Sequence, residues 1–185
     1  MAWIKTIDEV DATDELEKIY TKIKEKRGKI ANILKVQSLL PQTMEDHLQL
    51  YTHIMFNKST ISREDKELIA VIVSRLNNCS YCINHHLEAL NHYWKDKGKI
   101  KQLIKTLDYS ILSSRQQAIL CHVEKLTKQP DLVNENDMIK LKKQLITDRE
   151  LLEITLITSY FNFVNRMALG LNVTCSDEEI KGYNY

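Results

Sequence analysis

Cys79-Ser80-Tyr81-Cys82-Ile83-Asn84-His85-His86 places two thiols and two imidazoles within eight positions of a 185-residue chain. Cysteines at i and i+3, with a histidine four residues further on, share one face of a helix, at about 0°, 300° and 340° around its axis. In that setting the two sulfurs can meet, and a titratable base follows one turn beyond the second. Glu67 precedes Cys79 by twelve residues, in a segment that also reads as helix. A glutamate, a dithiol and a histidine so spaced can form and break a disulfide while moving protons. The stretch predicts a helical scaffold around a thiol centre.

Reading outward from it, Ser62-Arg63-Glu64-Asp65 is an N-cap and helix start, with Asp65 where a capping box usually has glutamate. This helix runs to about Leu76; Asn77 and Asn78 end it and cap the next, predicted from Cys79 to about Asp96. Upstream, residues 11–27 carry Leu16, Ile19, Tyr20 and Ile23 at helical spacing and end near Gly28. A short apolar piece at 30–40 stops at Pro41, which opens a helix to about Asn57 with Met44, Leu48, Tyr51 and Met55 on one side. Downstream, helices are predicted at 99–107, 113–128, 135–145 and 148–171, the last with a Thr147/Glu150 capping box. No stretch alternates apolar and polar residues long enough to predict a strand, and only four glycines and two prolines punctuate the chain. The expected fold is all-α.

An internal repeat is also legible. Asp65-Lys66-Glu67-Leu68-Ile69 returns 83 residues later as Asp148-Arg149-Glu150-Leu151-Leu152. The same offset carries Cys79 onto Asn162, Cys82 onto Asn165 and His86 onto Leu169, so the second unit has lost the chemistry. The chain reads as one domain over 1–185. N-terminal helices fill 1–40, a first repeat with the cysteine pair 41–97, a second, degenerate repeat 98–172, and a polar, loose tail 173–185. The two repeats are expected to be helical hairpins about an approximate two-fold axis.

Composition excludes several classes. With 26 basic and 25 acidic residues, the chain has no excess charge to attract nucleic acid or an anionic membrane. The longest clean apolar run, 68–73, is far short of the roughly 20 residues of a membrane span. Acidic residues at 8, 9, 11 and 14 leave no room for a secretory leader. Four cysteines, two of them three apart, fit free thiols in a reducing compartment, so a cytoplasmic location is expected. No phosphate loop or dinucleotide fingerprint occurs, and no bound cofactor is expected.

A cysteine at a helix N-terminus meets unpaired backbone N–H groups and the positive end of the helix dipole, which favour thiolate. Thiolate attacks a peroxide oxygen to give a sulfenic acid, and a neighbouring thiol then condenses with it to a disulfide. His86 is placed to serve as base, with Glu67 relaying protons. Two other readings of the pair are open. The cysteines could be small core residues, or zinc ligands, although a closed zinc site needs four ligands and Cys121 and Cys175 are remote in sequence. No metal is expected. Cys121 beside His122 reads as buried packing and Cys175 as incidental. Tyr81 is a possible accessory position, as is His85, expected to be exposed. His47, His53 and His92 read as surface or half-buried histidines, and Tyr160, Phe161 and Phe163 as core or subunit-contact aromatics.

The pattern Glu67, Cys79-Ser80-Tyr81-Cys82, His86 on consecutive helices resembles the alkyl hydroperoxidase D-like (AhpD-like) proteins of the carboxymuconolactone decarboxylase superfamily. The likeness covers residues 41–170, and Phe161-Asn162-Phe163-Val164-Asn165-Arg166-Met167-Ala168-Leu169-Gly170 resembles the peroxidase-related branch. It implies an all-α, homo-oligomeric thiol peroxidase of peroxiredoxin-type activity that reduces hydrogen peroxide or an organic hydroperoxide. Electrons would come from an external dithiol or thiol-protein reductant. It further implies that Cys82 becomes the sulfenic acid, that Cys79 is proton donor and resolving thiol, and that Glu67 and His86 form the proton relay. One departure is Tyr81, where the hydroperoxidase D enzymes carry histidine. The alternatives are a decarboxylase-like lyase using Glu67 and His86 as acid and base, and a redox-responsive binding module that is not an enzyme.

Overall fold

The computed structural model describes residues 2–180, among which there are ten α-helices and no strand. They are α1 (Asp14–Arg27), α2 (Asn32–Lys35), α3 (Pro41–Phe56), α4 (Arg63–Leu76), α5 (Ser80–Trp94), α6 (Lys97–Thr106), α7 (Ser114–Lys128), α8 (Glu135–Lys143), α9 (Asp148–Gly170) and α10 (Asp177–Ile180). The predicted helices recur within a few residues of their expected ends. The caps explain why. Ser62 Oγ accepts the Asp65 N–H at 3.0 Å, and Glu150 closes a capping box by accepting the Thr147 N–H at 2.8 Å.

The bundle is organised around α4. Its residues Lys66 to Ser74 are all buried, so this helix presents protein, not water, on every side. Helices α5, α7 and α9 pack on it, and α3 and α6 also touch it. The apolar run 68–73 is thus the centre of the main core, joined by Leu90, Leu103, Leu120, Ile154 and Phe161. A smaller core forms where α1 meets α3, from Leu16, Ile19, Tyr20, Ile23 and Met44.

Between α4 and α5 the chain reverses over three residues. Asn78 takes a left-handed backbone at φ 55°, a conformation that asparagine tolerates better than most residues. The turn brings the Cys79 N–H to the Ser74 carbonyl at 3.0 Å and sets Cys79 as the N-cap of α5.

The 83-residue repeat pairs the capped starts of α4 and α9. Beyond them the two units diverge: α9 runs uninterrupted through the positions that match the α4–α5 turn, so Asn162 and Asn165 lie in mid-helix. Two further expectations are corrected. Cys121 is exposed, because the inward stripe of α7 is Ile119, Leu120, His122 and Val123, which turns Cys121 outward and buries His122 instead. The tail, expected to be loose, is tied down as far as it is described. Val173 is buried, the Asn32 side chain donates to the Thr174 carbonyl at 2.9 Å, and Lys29 Nζ donates to the Glu178 and Glu179 carbonyls. Residues 181–185 of that tail lie outside the described residues. No helix among the described residues is long and apolar enough to cross a membrane.

Because α4 is enclosed on all sides, truncating it leaves a cavity that cannot collapse toward solvent. Ile72→Ala is expected to cost about 2–5 kcal/mol, read as a lower urea midpoint with an unchanged slope.

Candidate functional site

The α4–α5 turn brings all four predicted chemical residues together. Cys79 and Cys82 are free thiols with sulfurs 2.8 Å apart, both buried. Glu67, fully buried in α4, accepts from His86 Nδ1 of α5 at 2.7 Å and forms an ion pair with Arg63 one turn back at 2.6 Å. With Nδ1 held on a carboxylate, the neutral imidazole keeps its proton there and offers Nε2 as acceptor. The His86 ring sits edge-on to Phe161, with centroids 4.5 Å apart. Burial pushes the Glu67 carboxyl up, but the attraction of His86 and Arg63 outweighs it, and the pKa lies below the ordinary carboxylate range.

The two thiols differ in charge and in access. Contact with the Cys82 sulfur comes first in holding the Cys79 thiol below its ordinary pKa, helped by the nearby backbone of Cys82 and Tyr81 and opposed by burial. The same contact, with burial, pushes the Cys82 thiol up, against a smaller lowering by the Asn165 side chain. Access runs the other way. A cavity of about 100 Å³ is lined by Cys82, together with Glu67, His86, His47, Tyr160 and Phe161, while Cys79 is not among its lining residues. The covered sulfur is therefore the more acidic of the two, and the sulfur facing the cavity the less acidic.

Helix α9 supports this site directly. Asn77 at the end of α4 donates to the Asn162 and Asn165 side chains at 3.0 Å each, and Asn165 donates to Ser74 Oγ at 3.2 Å. Asn162 and Asn165 of α9 thus lock the turn that carries the cysteines.

His85 is corrected from exposed to largely covered, because Glu179 of α10 reaches it: Nε2 and the carboxylate lie 2.5 Å apart, with the His85 side chain 14% exposed. Tyr81, the accessory residue between the cysteines, is buried; its hydroxyl accepts the Ile33 N–H at 3.1 Å and donates to Glu179 at 3.0 Å. His47 is corrected too. It is buried in α3, with Nε2 2.7 Å from the Tyr160 hydroxyl and Nδ1 2.7 Å from Gln37 Nε2. Its position was open to a sequence reading, since it lies three residues after Met44 on the inward stripe of α3. Arg63 was also legible as an i,i+4 partner of Glu67. Glu179 was not, because nothing local ties it to position 85.

Known structures share this architecture. The AhpD-core, peroxidase-related protein of Ralstonia eutropha JMP134 superposes with a TM-score of 0.86 at 23% identity, covering 97% of this chain and 94% of that one. A peroxidase-related protein of Silicibacter sp. TM1040 gives 0.82 at 26% identity, covering 95% and 94%. The debrominase Bmp8 gives 0.77 at 18% identity over 97% of this chain and 98% of its own. The fold is the all-α AhpD-like fold. In sequence, the uncharacterized protein YdfG of Bacillus subtilis (strain 168) is 23% identical over 114 residues, 62% of this chain and 78% of its own length. Residues 41–120, which include the cysteine pair, match the carboxymuconolactone decarboxylase family.

Burial holds the His47 imidazole down to about 4, against an ordinary 6.5. Below pH 6.5 the unfolded chain takes up this proton and the folded chain refuses it until about pH 4, so stability is lost as pH falls through that window. Linkage gives about 2 kcal/mol between pH 7 and pH 5. Urea titrations at the two pH values are expected to show that loss in the wild type, and His47→Gln to reduce it by the same amount.

Proposed function

We propose that this protein is a thiol-dependent peroxidase in which Cys82 attacks a hydroperoxide and Cys79 resolves the product. The observation that carries the reading is the division between the sulfurs: Cys82 opens onto the cavity, and Cys79 lies 2.8 Å from it at a helix N-terminus. Attack begins when the Cys82 proton passes to the Cys79 sulfur or to His86. The Cys82 thiolate then bonds to the distal peroxide oxygen, the O–O bond breaks, and the leaving alkoxide or hydroxide takes up a proton supplied through His86. Cys82 is left as a sulfenic acid. The Cys79 thiolate displaces its hydroxyl, which takes a second proton from solvent through His86 and leaves as water, and the sulfurs close to a disulfide by moving less than about 1 Å. Two electrons have passed from the dithiol to the peroxide, and an external dithiol restores the pair by exchange.

Glu67 serves this cycle without touching the substrate. It keeps the His86 proton on Nδ1 and stabilises the imidazolium that forms when Nε2 accepts a proton. Arg63 keeps the carboxylate charged while buried.

A second reading uses the same electrons. Tyr51, Tyr81, Tyr160 and Phe161 give the cavity aromatic walls, and Bmp8, which shares the fold, has also been solved with 2,3,4-tribromopyrrole bound. A dithiol that reduces a halogenated aromatic ring would yield the same disulfide, with halide and the dehalogenated ring in place of water and alcohol.

The reduced protein with excess dithiol is expected to consume hydroperoxide over many turnovers. Cys82→Ser should abolish turnover, Cys79→Ser should leave a trappable sulfenic acid on Cys82, and Glu67→Gln should slow the reaction about 100-fold or more. A clean Cys79–Cys82 disulfide formed once per chain without turnover would favour the redox-responsive module. Thiols inert to every peroxide, with halide released from a brominated ring, would favour the second reading.

A further inference from the structure

Beside the dithiol cavity, His85, Cys175 and Glu179 bring one nitrogen, one sulfur and one oxygen donor within 4.8 Å of one another. The three come from two ends of the fold. His85 lies on α5, one turn after Cys82, and Cys175 and Glu179 stand four residues apart on the segment that closes the chain over α5. All three are partly covered, unlike a surface cluster.

Each of the three has a partner that orients it. Glu179 Oε1 accepts the Asn32 N–H at 3.1 Å and the Tyr81 hydroxyl at 3.0 Å, which leaves Oε2 directed at His85. The Tyr81 hydroxyl is itself set by the Ile33 N–H at 3.1 Å. The His85 ring packs on Tyr81 with centroids 4.5 Å apart, and Asn84 Nδ2 lies 3.9 Å from the Cys175 sulfur. Oriented donors with a surrounding layer of hydrogen bonds are what metal sites require beyond the ligands themselves. From these placements we infer that His85, Cys175 and Glu179 form a binding site for a zinc-class divalent ion, separate from the Cys79–Cys82 dithiol.

The donor set selects the ion. A thiolate with an imidazole and a carboxylate suits Zn²⁺ or Co²⁺ and is poorly matched to Mg²⁺ or Ca²⁺, which take oxygen. Ligand bonds of about 2.0–2.3 Å in tetrahedral array put donors roughly 3.3–3.7 Å apart. The ion would draw the farthest donors together by about 1 Å and part His85 from Glu179 by a similar distance. Binding releases the Cys175 thiol proton and whichever proton His85 and Glu179 share, and the ion takes their place. Three protein ligands leave the fourth position to water. Occupancy would fasten α10 to α5 beside the cavity that His85 helps to line.

Co²⁺ is the probe, added to the reduced full-length protein and to its variants. The Cys79→Ser/Cys82→Ser double variant is expected to bind one Co²⁺ with a thiolate-to-cobalt charge-transfer band, displaced by Zn²⁺ and not by Mg²⁺. Because that variant has no dithiol, the result is independent of whether the peroxidase reading holds. Cys175→Ser should lose the band, and His85→Asn and Glu179→Gln should each weaken binding at least about tenfold. A band that survives Cys175→Ser and vanishes in the double variant would assign the metal to the dithiol and overturn the inference, as would no binding by any form.

Discussion

A carboxylate buried in the most enclosed helix of the bundle is the constraint on which the site depends. Glu67 has no exposed surface, and an isolated charge there would be prohibitively costly. It is kept charged by Arg63 from its own helix and by His86 from the next. Removing one member of such a buried pair leaves the other uncompensated, typically at a cost of about 3–5 kcal/mol. The interaction thus fixes the spacing of α4 and α5 as firmly as any apolar contact, and it fixes the tautomer of the histidine beside the thiols. One contact sets both the architecture and the proton chemistry.

The dithiol inherits its asymmetry from the same turn. The reversal at Asn77 and Asn78 makes Cys79 the N-cap of α5, beside the backbone of its first turn. Cys82, three residues on, faces the cavity. On the proposed reading the arrangement is useful because the thiol that meets the substrate has a ready acceptor for its proton, which is also its partner in the disulfide.

Helix α9 serves as scaffold. Its Asn162 and Asn165 bind Asn77 and so brace the turn. Uninterrupted helix suits that role, because the asparagines must be presented at fixed height along α9. The tail completes the enclosure: Glu179 covers His85 and Tyr81, which would otherwise form an open rim.

Much of this was legible from local pattern. Helix positions followed from caps and 3.6-residue periodicity, and Glu67, Cys79, Cys82 and His86 were marked by a spacing that folds onto one helix face and its neighbour. Those signals survive because each depends on residues a few positions apart, where backbone geometry alone dictates proximity. His47 was misread through its type, although its place on the inward stripe of α3 pointed to burial. Cys121 failed for the opposite reason: two adjacent residues differ by about 100° around a helix, and only the packing of α7 determined which of Cys121 and His122 turned inward. The covering of His85, the anchoring of the tail and the meeting of Cys175 with His85 and Glu179 had no local signature. They join residues 94 to 150 positions apart or nearly so, and such contacts come from how the helices pack, which pairwise spacing in a sequence does not encode. The sequence by itself determined the helices and the placing of the dithiol beside Glu67 and His86; the tertiary structure decided which sulfur meets the cavity and what closes over it.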